Sequence, residues 1–79
     1  MPTPHISRAE AERRIAAVNK ALSEGHRPPG VMGHGQAALA VAAQTIGLAR
    51  TGLLNSLRDI KRHHGIEPNW SLWKRQEQP

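Results

Sequence analysis

Residues 39–60 read LAVAAQTIGLARTGLLNSLRDI, and the spacing of their aliphatics around Gly47 decides the fold. Leu39, Ala42, Ala43 and Ile46 fall at helical intervals before that glycine. Leu53, Leu54, Leu57 and Ile60 fall at the same intervals after it. Two short amphipathic helices are therefore predicted, with only a few residues between them. So short a link makes the helices cross steeply rather than run back antiparallel. A steep crossing brings backbones close, and Ala42 and Ala43 are small where such a contact requires it. Gly47 can take the positive φ that ends a helix, and Ile46 and Leu48 on either side can anchor the turn. This is the pattern of a helix-turn-helix, whose second helix is the kind that enters the major groove of DNA.

Upstream, Ser7 is a good N-cap, and Glu10 three residues later would complete a capping box. A first helix is predicted from there to about Ser23, with Ala11, Ile15, Val18, Ala21 and Leu22 forming one apolar stripe and Gly25 as its stop. His26 to Gly35, HRPPGVMGHG, reads as a loop, because Pro28-Pro29-Gly30 forbids regular helix. It lacks the G-x-x-x-x-G-K-[ST] spacing of a nucleotide-binding loop, so its expected role is that of a connector. The second helix is predicted from about Gln36 to Ile46, and the third from about Arg50 to His64, where Gly65 stops it. The tail that follows is short and irregular, yet Trp70, Leu72 and Trp73 are too apolar to be left in water. They are expected to fold back onto the helices. An aromatic platform for single-stranded nucleic acid is the less favoured use of the two tryptophans, since the helices contain no other large side chain.

Seventy-nine residues allow one small domain, and a chain of that size buries only about 60% of its unfolded surface. There is no cysteine, so neither a disulfide nor a thiolate metal site reinforces it. With no Phe or Tyr, the core must be built from Ala, Leu, Ile and Val, which suits helices better than strands. The expected fold class is all-α: three helices containing a helix-turn-helix, with an irregular C-terminal tail packed back through its tryptophans. Residues 1–6 are expected to form a flexible arm, 7–73 the helix-turn-helix domain, and 74–79 a disordered tail or the start of a linker. No apolar run reaches the roughly 18 to 20 residues of a membrane span, and MPTPHIS lacks the apolar core of a signal peptide. The expectation is a cytoplasmic protein without a membrane partner.

Eleven Lys plus Arg stand against six Asp plus Glu, a formal net charge of +5. Arginine predominates among the cations, and guanidinium pairs bidentately with phosphate oxygens. On the third helix, Arg50, Thr51 and Asn55 are the candidates for base contacts. Arginine matches guanine, asparagine matches adenine, and threonine can reach a thymine methyl or a phosphate. Arg58, Lys61 and Arg62 continue along the helix and suit phosphates, with His34 and Gln36 at the start of the second helix as weaker phosphate candidates. Asp59 interrupts the basic row, three residues from Arg62 and thus at pairing distance. Gly52 adds no side chain and would allow close approach, at some cost in helix stability.

No metal or other cofactor is expected. His63 and His64 are adjacent, so they point about 100° apart on a helix and do not readily share an ion. His63 fits better as a cation at the helix C-terminus. Nor is an enzyme expected, since the chain has no cysteine, no G-x-S-x-G and no paired carboxylates.

The segment AALAVAAQTIGLARTGLLNSLRDIKRHHGIEPNW, residues 37–70, with the PPG loop upstream, resembles the helix-turn-helix domain of phage and prophage proteins. The resemblance spans about residues 8 to 73. Its distinctive close is Gly65, Ile66, Pro68 and Trp70, and Gly52 stands where Ser or Thr is usual. Such domains stand alone as regulators or precede a metallophosphoesterase module, and no phosphoesterase residues occur in this chain. The resemblance implies sequence-specific binding to double-stranded DNA in transcription regulation of a phage or mobile element. DNA packaging, as in small terminase subunits, and a protein-interaction module that binds no DNA are the alternatives. A homodimer on two half-sites stays open, although no dimer strip is visible in the sequence.

Overall fold

Ser7 opens the first helix, α1, which runs Arg8–Ser23. The Ser7 hydroxyl accepts the Glu10 amide at 3.1 Å, satisfying one of the amides that a helix start leaves without a partner. The Glu10 carboxylate does not close the capping box. It turns along the helix to Arg13 and Arg14 instead, at 2.8 to 2.9 Å. The computed structural model describes residues 6–28 and 37–73. Within them α1 is followed by α2 (Ala37–Ile46), α3 (Arg50–His64) and a single 3-10 turn at Trp70–Trp73. The domain is all-α, as the spacing predicts.

The core is aliphatic. Ala11, Ile15, Val18, Ala21 and Leu22 of α1 meet Ala38, Leu39, Ala42 and Ala43 of α2 and Leu53, Leu57 and Ile60 of α3. Each fully buried Val, Leu or Ile contributes roughly 1.5 to 3 kcal/mol, so the larger members fix the arrangement. The alanines between them set how closely the helices approach. Ile46, Leu48 and Leu54 are half-buried, packed against this cluster rather than inside it. Ser56 is the one buried polar side chain among the described residues. Its hydroxyl donates to the Leu53 carbonyl at 2.8 Å, within its own helix.

Gly47 forms the turn between α2 and α3. Its φ is +75°, a left-handed conformation that side chains other than glycine's adopt only with strain. The Leu48 amide reaches back to the Ala43 carbonyl at 2.9 Å, and the Gly47 amide reaches the Gln44 carbonyl at 3.4 Å. These two bonds are the Schellman ending of a helix, and they place Leu48 over Ala43. The axes of α2 and α3 then differ by 95°. That steep angle is the geometry of a helix-turn-helix.

The chain ends are tied to the helices. The His64 imidazole Nε2 lies 2.7 Å from the Ile6 carbonyl, and Arg8 donates to the His64 carbonyl at 3.2 Å, so the start of α1 is fastened to the end of α3. Ile6 itself packs against the core, which leaves residues 1–5 of the expected arm outside the described residues. After Gly65 the chain turns back, and the Asn69 amide donates to the Asn19 carboxamide oxygen at 2.7 Å. Pro68 is buried, while Trp70, Leu72 and Trp73 are half-buried against the core. Arg27 stands 6.0 Å from the centroid of the Trp73 ring, at the outer range of a cation–π contact. The expected tail at 74–79, residues 29–35 of the expected loop and Gln36 lie outside the described residues. No single helix is long and apolar enough to cross a membrane among the described residues.

Candidate nucleic-acid interface

The face of α3 opposite the core is polar along its whole length. Leu53, Ser56, Leu57 and Ile60 are buried, whereas Arg50, Thr51, Asn55, Arg58, Lys61 and Arg62 are exposed. Successive residues of a helix turn by about 100°. With the buried face so fixed, Thr51, Asn55, Arg58 and Arg62 form a single outward ridge. Its leading half is neutral and hydrogen-bonding, and its trailing half is cationic. Arg50 and Lys61 lie to one side of the ridge, on the shoulder facing the tail. Gly52 and Asp59 lie on the other shoulder.

The start of α3 is open. Ala49 is extended, at φ −71° and ψ 147°, and offers no side-chain cap. The Leu53 amide is bonded to the Ala49 carbonyl at 2.9 Å, which leaves the amides of Arg50, Thr51 and Gly52 without an intrahelical partner. No acidic residue occupies this first turn, so nothing offsets the partial positive charge of the helix end. The opposite end carries Lys61, Arg62, His63 and His64 in its last turn. Cations there complement the helix dipole as well as any external anion.

Lys61 differs from the other cations of the helix. Its ammonium is 3.5 Å from the Glu67 carboxylate, just past the Gly65 turn, with both side chains about half exposed or more. An exposed pair of this kind is weak, but it lowers the field that Lys61 offers to a phosphate. Asp59 and Arg62 do not form the pair that their spacing allows, so Arg62 remains available. Gln36 and His34, expected near the start of α2, lie outside the described residues.

The same shoulder holds a feature that spacing alone did not reveal. Leu54 and Leu57 of α3, with Pro68 and Trp70 of the tail, line a shallow apolar groove edged by Arg58, Lys61 and Glu67. The half-buried state of Leu54 follows from it. The signal in the sequence was Leu54 itself, an aliphatic at the edge of the stripe, together with the I-x-P-x-W close that supplies the other wall.

On α1, Glu10 and its arginines brace the helix. Hydrogen bonds from Arg13 and then Arg14 draw the Glu10 carboxyl down from 4.5 to about 2, and the same contact raises the Arg13 guanidinium. No group of three or more His, Asp or Glu side chains placed to hold a metal ion occurs among the described residues. Comparisons with protein-family models, with curated proteins and with solved structures found no match to this chain.

Proposed function

We propose that this protein binds double-stranded DNA, with α3 lying in the major groove. The observation that carries the reading is the outward ridge Thr51–Asn55–Arg58–Arg62 on a helix turned 95° from its predecessor. In a docked recognition helix the N-terminal residues meet base edges, and the flanking cations hold phosphates. Thr51 and Asn55 stand at the leading end of the ridge, with Arg50 beside them, and these three read bases. Arg58 and Arg62 neutralise phosphates. Lys61 is a weaker phosphate contact, because it must leave Glu67 to make one. Gln36 remains a further phosphate candidate. The role suggested by the resemblance is transcription regulation in a phage or mobile element, in the cytoplasm, without catalysis or cofactor. DNA packaging would use the same surface.

One observation favours a second reading. The groove of Leu54, Leu57, Pro68 and Trp70 is apolar enough to seat a protein partner, and a docking module would use it instead of the ridge. Salt separates the two. A DNA complex loses affinity as salt rises, by about 0.9 log units per log unit of salt for each phosphate neutralised, and a hydrophobic docking site does not. Binding to labelled duplexes across a salt series is the direct test. Arg50→Ala weakens a preferred site more than random duplex, whereas Arg62→Ala weakens both alike. Affinity for duplex that is absent at low salt, or insensitive to salt, would rule the reading out.

A further inference from the structure

Among the described residues nothing requires Gly52 to be glycine. It is the third residue of α3, on the exposed side of the first turn, and its φ is not in the left-handed region that favours glycine, unlike Gly25, Gly47 and Gly65. A Cβ built on it meets nothing within 4 Å. Among the described residues no neighbouring element presses on it, and no turn depends on it. Glycine in the middle of a helix is less stable than alanine by roughly 0.5 to 1 kcal/mol, and in the first turn it still gives up backbone freedom that alanine does not. A small helical domain therefore carries a destabilising residue at a site where a Cβ would fit.

We infer that the constraint on Gly52 lies outside the molecule, and that Gly52 is the close-approach point of the DNA complex. There the duplex comes within van der Waals reach of the α3 backbone. The inference rests on the DNA-binding reading and sharpens it by naming a positioning residue within that surface. Gly52 sits one residue beyond Thr51 and three before Asn55, beside the leading end of the ridge. Its exposed neighbours on the helix, Ala49, Thr51 and Asn55, are small or short. The long side chains Arg58 and Arg62 begin more than one turn further on. The helix thus approaches closely at its leading end and reaches by long side chains at its trailing end. That arrangement is what a rod entering a groove at an angle requires, with base contacts at one end and phosphate contacts at the other. Asp59 lies on the same shoulder about two turns away, so the duplex diverges from that side beyond Gly52.

The test is a pair of substitutions, Gly52→Ala and Gly52→Leu, both to good helix formers. Each is measured in the full chain by thermal melting and by affinity for duplex DNA at fixed low salt. In the free protein the open space accepts both side chains, and the melting midpoint rises, by about 4 °C for alanine. DNA affinity falls in the order of side-chain size, on the order of tenfold for leucine, as expected when extra carbons are forced into a packed contact. Variants that melt higher yet bind duplex as tightly as the natural chain would overturn the inference while leaving the DNA reading intact. Variants that melt lower would overturn its premise that the site is open. Failure of the natural chain to bind duplex at all would remove the reading itself, and the inference with it.

Discussion

α1 and α3 carry four cations each, Arg8, Arg13, Arg14 and Lys20 against Arg50, Arg58, Lys61 and Arg62, and they use them differently. On α1 the arginines are turned inward on their own helix. Arg8 pairs with Glu12 at 3.2 Å, and Arg13 and Arg14 share Glu10 at 2.8 Å. Of the four on α3, Lys61 alone is paired with a carboxylate among the described residues, and that partner comes from beyond the helix. Arg50, Arg58 and Arg62 are in no ion pair among the described residues, although Asp59 is within their helix. The composition makes the chain basic as a whole, but the pairing concentrates the usable charge on one face. A count of cations alone would have given both helices equal claim to an anionic partner.

Removing the unpaired arginines of α3 sharpens this contrast most. Alanine at both Arg58 and Arg62 lowers the slope of log affinity against log salt by about 0.9 for each phosphate no longer neutralised. Alanine at Arg13 leaves the slope where it was and weakens only α1. Equal slope changes from the two helices, read by fluorescence anisotropy across a salt series, would erase the distinction.

The geometry that presents α3 comes next. Gly47→Ala costs about 1 to 2 kcal/mol by forcing a left-handed residue to carry a Cβ. Because that Cβ meets nothing within 4 Å, the cost is one of backbone conformation alone. Urea denaturation measures it, and an unchanged midpoint would mean that the turn does not depend on positive φ.

A smaller effect separates stability from binding at the start of α3. Ala49→Asp supplies the missing cap and raises stability by about 1 kcal/mol. It also sets a carboxylate where a groove-bound helix meets DNA, so affinity falls while the melting point rises. Both moving upward would place the DNA elsewhere.

The smallest effect belongs to the paired helix. Glu10 has a folded pKa of about 2, below its ordinary 4.5. A depressed carboxyl contributes stability that is fully present above about pH 4.5 and is lost as the pH falls toward 2. The Glu10→Gln variant therefore shows a flatter acid limb in the same denaturation assay, and identical limbs would show that the Arg13 and Arg14 contacts do not persist in solution.

Local signals in the sequence located most of the fold. The Ser7 cap, the turn at Gly47 and the stop at Gly65 each depend on a residue type whose conformational preference is nearly independent of its surroundings. The apolar stripes were legible for a similar reason, since a period of 3.6 needs no knowledge of the partner. Contacts across the chain were not legible. Glu10 serves Arg13 and Arg14 rather than its own cap because several local partners compete for one carboxylate. Lys61 meets Glu67 only because Gly65 reverses the chain, and no helical spacing encodes that. The bond from Asn69 to Asn19 spans fifty residues. Of the candidate interface, the sequence identified the exposed residues of α3 but not their order around the helix. Arg50 and Lys61 lie on a shoulder instead of the ridge, a distinction that required knowing which side is buried.

Amide chemical shifts followed while a short duplex is titrated into the full chain test the central claim most directly. Changes concentrated at residues 49–62, largest near Thr51, Gly52 and Asn55 and fading across α1, are the expected result. Changes centred on Leu57, Pro68 and Trp70, or spread evenly over both basic helices, would contradict it.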